Sequence, residues 1–210
     1  MSHSTHPTNK RRPRILIGVS GSVATIKLPL LAQSLLPFAD IKIVASSAAM
    51  HFLTPSSCSS LLPPECLPIL TDQQDWAAWK EVGDDVLHIE LRRWADVFLI
   101  APLSANTLAK CANGMCDNLL TCVMRAWDWR RDGDGEGEGR KGVLVAPAMN
   151  TMMWTSPFTV KHLGVLEELG VVVLHPVEKK LACGDVGAGG MAAVEDIVDK
   201  VKEMLKELGW

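Results

Sequence analysis

Five short runs of almost unbroken apolar residues decide what this chain can fold into: Arg14–Val19, Ile41–Ala45, Asp96–Ala101, Val143–Ala146 and Val171–Leu174. Each is too short for an independent helix and is rich in β-branched side chains, so each reads as a strand. Hardly a position in them is suited to water, which is the pattern of strands buried on both faces. Helical stretches lie between them. One runs to about Leu36, one begins in "SSAAMHFL", and "PLSANTLAK" turns the third run into another. A further helix over about Asn118–Trp129 carries Leu119, Val123, Ala126 and Trp127 on one face, and Pro157–Leu169 and Val194–Leu208 read as amphipathic helices. Strands alternating with helices predict an α/β fold: a single-domain, doubly wound, mostly parallel sheet of Rossmann-like or flavodoxin-like type, flanked by helices.

The 210 residues suffice for one such domain, with 48% hydrophobic and 21% charged residues as in soluble globular proteins. We expect a disordered N-terminal tail over 1–13 and one domain over 14–210. The stretch "RRDGDGEGEGRKG" at 130–142 has only glycine and charge and reads as a mobile surface insert. "TPSSCSSLLPPECLP" at 54–68 is too rich in Ser and Pro for regular structure. The net charge of −3 gives no basic field for nucleic acid. The cluster Lys10, Arg11, Arg12 and Arg14 reads as a solvated tail, with a localisation signal as the other reading. No secretory h-region and no membrane-spanning run is present, so a cytoplasmic location is expected, nuclear presence included as an alternative. Six cysteines at 58, 66, 111, 116, 122 and 183 show no CxxC pair and no zinc-like spacing, so neither a disulfide framework nor a metal site is expected.

Ligands of doubly wound sheets sit outside the carboxyl ends of the strands. Four unusual segments fall there: "SGSVA", "PLSANT", "PAMNTMMW" and the loop from His175. The first is not GxGxxG, yet Ser22, Val23 and Ala24 could offer a hydroxyl and backbone N–H groups to an anion; a plain tight turn is the alternative. The second run ends in Ala45-Ser46-Ser47 with no acid for a ribose diol, which disfavours a dinucleotide. In "SANT", Ser104 reads as an N-cap, but Ser104, Asn106 and Thr107 together suit a phosphate and polyol chain. A mononucleotide such as FMN fits these segments better than NAD. His88 precedes the strand that delivers "PLSANT", which moves it toward this edge, whereas a buried structural histidine is the plainer reading. Glu90, Arg92 and Arg93 read as ion pairs, His51 and His162 as structural or interfacial, and His175 as a turn residue. Cys183 sits in "KKLACGDVGAGGM", poor in helix and strand signals and suited to closing over a ligand, where a thiol stays accessible.

Taken together, "GSVA", "LHIELRRWAD", "PLSANT", "PAMNTMMW" and "LACGD" resemble the homo-oligomeric flavin-containing cysteine decarboxylases, over roughly Arg14 to Ala193. Within that family the chain is most similar to the members acting on 4′-phosphopantothenoylcysteine in coenzyme A biosynthesis. The resemblance implies a basic histidine at His88, a carboxylate-binding amide at Asn150 with Met153 beside it, and a reactive flap cysteine at Cys183. It implies FMN contacts at Ser22, Val23, Ala24, Ser46, Ser104, Ala105, Asn106, Thr107 and Ala148, with Lys180 and Ala182 helping the flap hold substrate. It further implies oxidation of the substrate to a thioaldehyde, loss of CO₂ to an ene-thiol, and return of a proton from Cys183 to give 4′-phosphopantetheine. A homotrimer with FMN at the subunit boundary follows from the same likeness, with Trp76, Trp79 and Trp94 as interface anchors or core residues. The insert at 132–139 and Ser47-Ala48 depart from the family pattern. Other readings from the same resemblance are an inhibitory subunit binding a protein phosphatase, a peptidyl-cysteine decarboxylase, or a flavin prenyltransferase.

Overall fold

The computed structural model describes residues 11–54, 59–129, 140–180 and 186–210. The apolar runs are strands β1 (Arg14–Val19), β2 (Asp40–Ala45), β3 (Val97–Leu103), β4 (Gly142–Pro147) and β5 (Val172–Val173). All pair in parallel in the order β2-β1-β3-β4-β5. This is the flavodoxin-type order of a doubly wound sheet, as the alternation of runs predicts.

The helices are α1 (Leu28–Leu35), α2 (Ser47–Met50), α3 (Asp72–Ala78), α4 (Leu87–Trp94), α5 (Ala105–Ala112), α6 (Leu119–Arg125), α7 (Thr151–Trp154), α8 (Pro157–Glu168) and α9 (Val194–Glu207). Period-two alternation along the strands sorts them onto two faces. Ile15, Ile17, Val19 and Leu99 pack under α1 and α9, while Leu16, Phe98, Ile100 and Val145 pack under α4, α5, α6 and α8. The helix expected over Asn118–Trp129 stops at Arg125, where Ala126 closes its last turn. Trp127 is nevertheless buried, its ring 5.5 Å from that of Phe98. The first helix opens as a 3-10 turn over Val23–Lys27 before α1 begins.

The glycine-rich stretch after Cys183 departs from expectation. Val177–Lys180 (β6) and Val186–Gly190 (β7) form an antiparallel pair outside the main sheet. Arg11 donates twice to Asp96, at 2.7 Å each, and lies over the Trp210 ring, so the start of the described chain is tied to its end. Lys141, at the edge of the insert, donates to the carbonyls of Arg92 and Arg93 at 2.8 and 2.9 Å. Residues 1–10 of the tail and 130–139 of the insert lie outside the described residues.

Candidate active site

Four polar side chains stand in a row where parallel strands end. Ser22 follows β1, Ser46 follows β2, Ser104 follows β3 and Asn150 follows β4, and each caps the helical turn that begins next. Their oxygens accept from the N–H of Ala24, Ala49, Thr107 and Met153 at 3.3, 3.3, 3.3 and 2.8 Å. The first N–H groups of each turn have no intrahelical partner and point away from the strand. Such a row of helix starts attracts anions.

The hydroxyls divide their labour. Ser104 caps α5 and also donates to the Thr107 hydroxyl at 3.2 Å, both being nearly buried. Of the three polar residues in "SANT", only Asn106 is exposed. Ser46 is buried to 8% exposure and Ala148 to 4%, so both shape the floor of the row. Ala148 also donates its N–H to the Leu103 carbonyl at 2.9 Å, leaving no backbone donor there. Val23 is 44% exposed.

Ser20 is a residue the sequence reading passed over. Fully buried, it donates its hydroxyl to the Pro102 carbonyl at 2.8 Å and accepts from the Ser104 N–H at 2.7 Å. One hydroxyl thereby locks the exit of β1 to that of β3, fixing the spacing of two caps. Its only sequence signal is position: a serine directly after a buried strand. Gly21 beside it permits a close approach, since a Cβ there would lie 2.6 Å from that of Ala48 on α2.

Asn150 is fixed by its own cap. Its Oδ1 is committed to the Met153 N–H, and among the described residues Nδ2 has no partner. The exposed end of the amide is therefore a neutral donor. Over it lies β7: the Met149 N–H donates to the Gly189 carbonyl at 2.9 Å. Glycine is required by this approach. A Cβ at Gly187 would meet the Thr151 hydroxyl at 2.5 Å, and Gly189, at φ +128°, faces the carbonyl of Met149. Read from sequence as poor strand formers, Gly187 and Gly189 instead lie in strand β7, where their lack of a Cβ lets it approach Met149 and Thr151 closely. Met152 and Met153 are 79% and 51% exposed, while Trp154 turns inward with its ring 6.0 Å from His175.

His88 occupies the first turn of α4 and faces Asp75 of α3, Nδ1 to Oδ2 3.5 Å. The described contacts join it to α3 and not to Asn150 or the serine row of the same protomer. Trp94 is held beneath Lys42 and Arg14, at 4.7 and 5.6 Å, and packs on the core, in line with the core alternative read from its sequence. Trp76 and Trp79 are 82% and 51% exposed. Lys180 ends β6, and Ala182 and Cys183 fall in the connection to β7, outside the described residues.

The residues present suit the FMN implied by the sequence. Three helix starts with free N–H groups answer a phosphate, the exposed Asn106 amide and the Ser22 hydroxyl answer a polyol, and the end of β2 offers no carboxylate for a second ribose. The flavoprotein family model matches residues 3–206. A probable phosphopantothenoylcysteine decarboxylase of Arabidopsis thaliana is 50% identical over 195 residues, covering 93% of this chain and 90% of that protein. A solved cysteine-to-serine variant of PPC decarboxylase, complexed with pantothenoylaminoethenethiol, is 47% identical with a TM-score of 0.85, covering 93% of this chain and 100% of that one. The solved FMN-binding protein AtHal3 is 48% identical with a TM-score of 0.81, covering 94% and 98%. The chain belongs to the flavoprotein family and, within it, to the phosphopantothenoylcysteine decarboxylases.

Proposed function

We propose that this protein uses FMN to decarboxylate 4′-phosphopantothenoylcysteine to 4′-phosphopantetheine, a step of coenzyme A biosynthesis. The observation that carries the reading is the Asn150 cap, which turns an uncharged donor outward beneath a glycine hairpin. Loss of CO₂ erases a negative charge, so a cationic partner would stabilise the ground state more than the transition state. The Asn150 amide instead orients the carboxylate and leaves its charge free to depart. When bound, FMN supplies a hydride acceptor, and later a donor, for the thiol-bearing carbon. His88 takes the thiol proton as that carbon is oxidised to a thioaldehyde, the electron sink that decarboxylation needs. The ene-thiol that remains after CO₂ leaves is protonated on carbon by Cys183. The relative solved with pantothenoylaminoethenethiol, itself an ene-thiol, supports this order of events.

The protomer leaves apolar surface beside the site. Val23, Ile26 and Leu30 are 44–52% exposed around α1, and Met152, Met153 and Phe158 are more than half exposed around α7. In a homotrimer a neighbouring copy would cover these residues, exclude water, and bring its His88 toward this protomer's Asn150. Among the described residues no helix is long and apolar enough to cross a membrane, and a cytoplasmic location is part of this reading.

The purified protein is expected to release FMN on denaturation and to liberate CO₂ from 4′-phosphopantothenoylcysteine. Recovery of FAD, or preference for a peptide ending in cysteine over the phosphorylated substrate, would contradict the proposal.

A further inference from the structure

We infer that Asp75 is a positioning residue for His88, holding its Nδ1 edge so that Nε2 is the edge presented to substrate. The inference rests on the assignment of His88 as the base. Nδ1 of His88 is shut off from solvent and no hydrogen bond satisfies it, while the side chain as a whole keeps 27% exposure. The accessible part of the ring therefore lies away from Nδ1. Among the described residues, the acceptor facing Nδ1 is Oδ2 of Asp75, 3.5 Å away on a side chain only 18% exposed. That separation is within ion-pair reach and just beyond a hydrogen bond, the looseness common in catalytic contacts before substrate binds.

The carboxylate is itself held in place. α3 begins with a reciprocal cap between Thr71 and Gln74, the Thr71 N–H donating to Oε1 of Gln74 at 2.9 Å. Within the same turn, Asp72 accepts the Leu119 N–H at 2.7 Å and staples α3 to the start of α6. Asp75 lies one residue beyond this doubly fixed turn, whereas α4 has no side-chain cap of its own. The rigid partner is the carboxylate and the ring is what it orients. A carboxylate on one imidazole nitrogen fixes the proton there and leaves the other nitrogen as the acceptor. Asp72 is spent on α6, so no other carboxylate of α3 is free to replace Asp75.

The test compares FMN-loaded wild type, Asp75→Asn, Asp75→Glu and His88→Asn, with side-chain ¹⁵N NMR of His88 beside steady-state rates. At about pH 8.5, roughly two units above the ordinary imidazole value, wild-type His88 should carry its proton on Nδ1. Asp75→Asn should move that proton to Nε2 and lower kcat about tenfold or more at little cost in KM, short of the roughly 10²–10⁴-fold loss expected for His88→Asn. Asp75→Glu should restore the Nδ1–H form and most of the rate. An Nε2–H tautomer in the wild type, or a wild-type kcat in Asp75→Asn, would overturn the inference. Should Asp75→Asn lose its flavin, the wild-type tautomer and the Asp75→Glu rate decide. Normal turnover in His88→Asn would instead remove the base assignment itself, which separates the two failures.

Discussion

Asn150 caps α7 with one end of its amide, and in the proposed mechanism the other end holds the substrate carboxylate, so substitutions can separate the two tasks. Aspartate caps a helix start as well as asparagine does. Asn150→Asp should therefore keep its melting temperature while losing most of its activity, because a carboxylate now faces the substrate carboxylate. Asn150→Ala should lose activity and about 1 kcal/mol of stability together. Thermal unfolding beside steady-state kinetics distinguishes these outcomes. Ser20→Ala is the converse case: it strands the buried Ser104 N–H and should cost about 1–3 kcal/mol in urea unfolding. The thiols supply a pH prediction. Burial pushes Cys111 up to about 12 and Cys66 up to about 11, and burial assisted by Cys116 and nearby carboxylates pushes Cys122 up to about 11. Folded values raised above the unfolded one favour the protonated native state. This contribution to stability is intact below about pH 8.5 and is lost as pH rises toward the folded values. The urea midpoint should accordingly fall between pH 7 and about pH 10, and an unchanged midpoint would contradict the burial argument.

At the scale of elements, the main sheet was legible because strands buried on both faces leave an apolar signature that survives without periodicity. The helices α3 and α4 were not legible as helices: their sequences, "DQQDWAA" and "LHIELRRW", bury little, and only Leu91 of α4 is fully enclosed. The β6–β7 hairpin was misread for a different reason. Glycine signals low strand propensity in isolation, and the demand for glycine at 187 and 189 comes from α7 passing underneath, which no local pattern records. The carboxyl-edge row at Ser22, Ser46, Ser104 and Asn150 was readable, since a polar residue between a strand run and a helix is a cap signal. Asp75 was not, because its meaning lies in a contact across two helices. The hairpin reading makes its own prediction. Gly189→Ala combines an unfavourable φ with a collision against the Met149 carbonyl, at a cost of about 1–3 kcal/mol. Hydrogen exchange at the Met149 amide should accelerate and KM should rise while FMN stays bound.

For the whole molecule, the proposed homotrimer predicts a site completed by a neighbour, whose His88 meets the Asn150 of this protomer. Co-expressing His88→Asn with Asn150→Asp tests this. Mixed trimers should recover activity, since some boundaries pair an intact His88 with an intact Asn150, whereas a site within one protomer stays dead in every mixture. Product mass is the sharpest check on the proposed chemistry. Wild type given 4′-phosphopantothenoylcysteine should release CO₂ and yield 4′-phosphopantetheine, and Cys183→Ser should release CO₂ yet yield the ene-thiol, lighter by H₂. Substrate recovered intact from wild-type protein that carries its FMN would contradict the account.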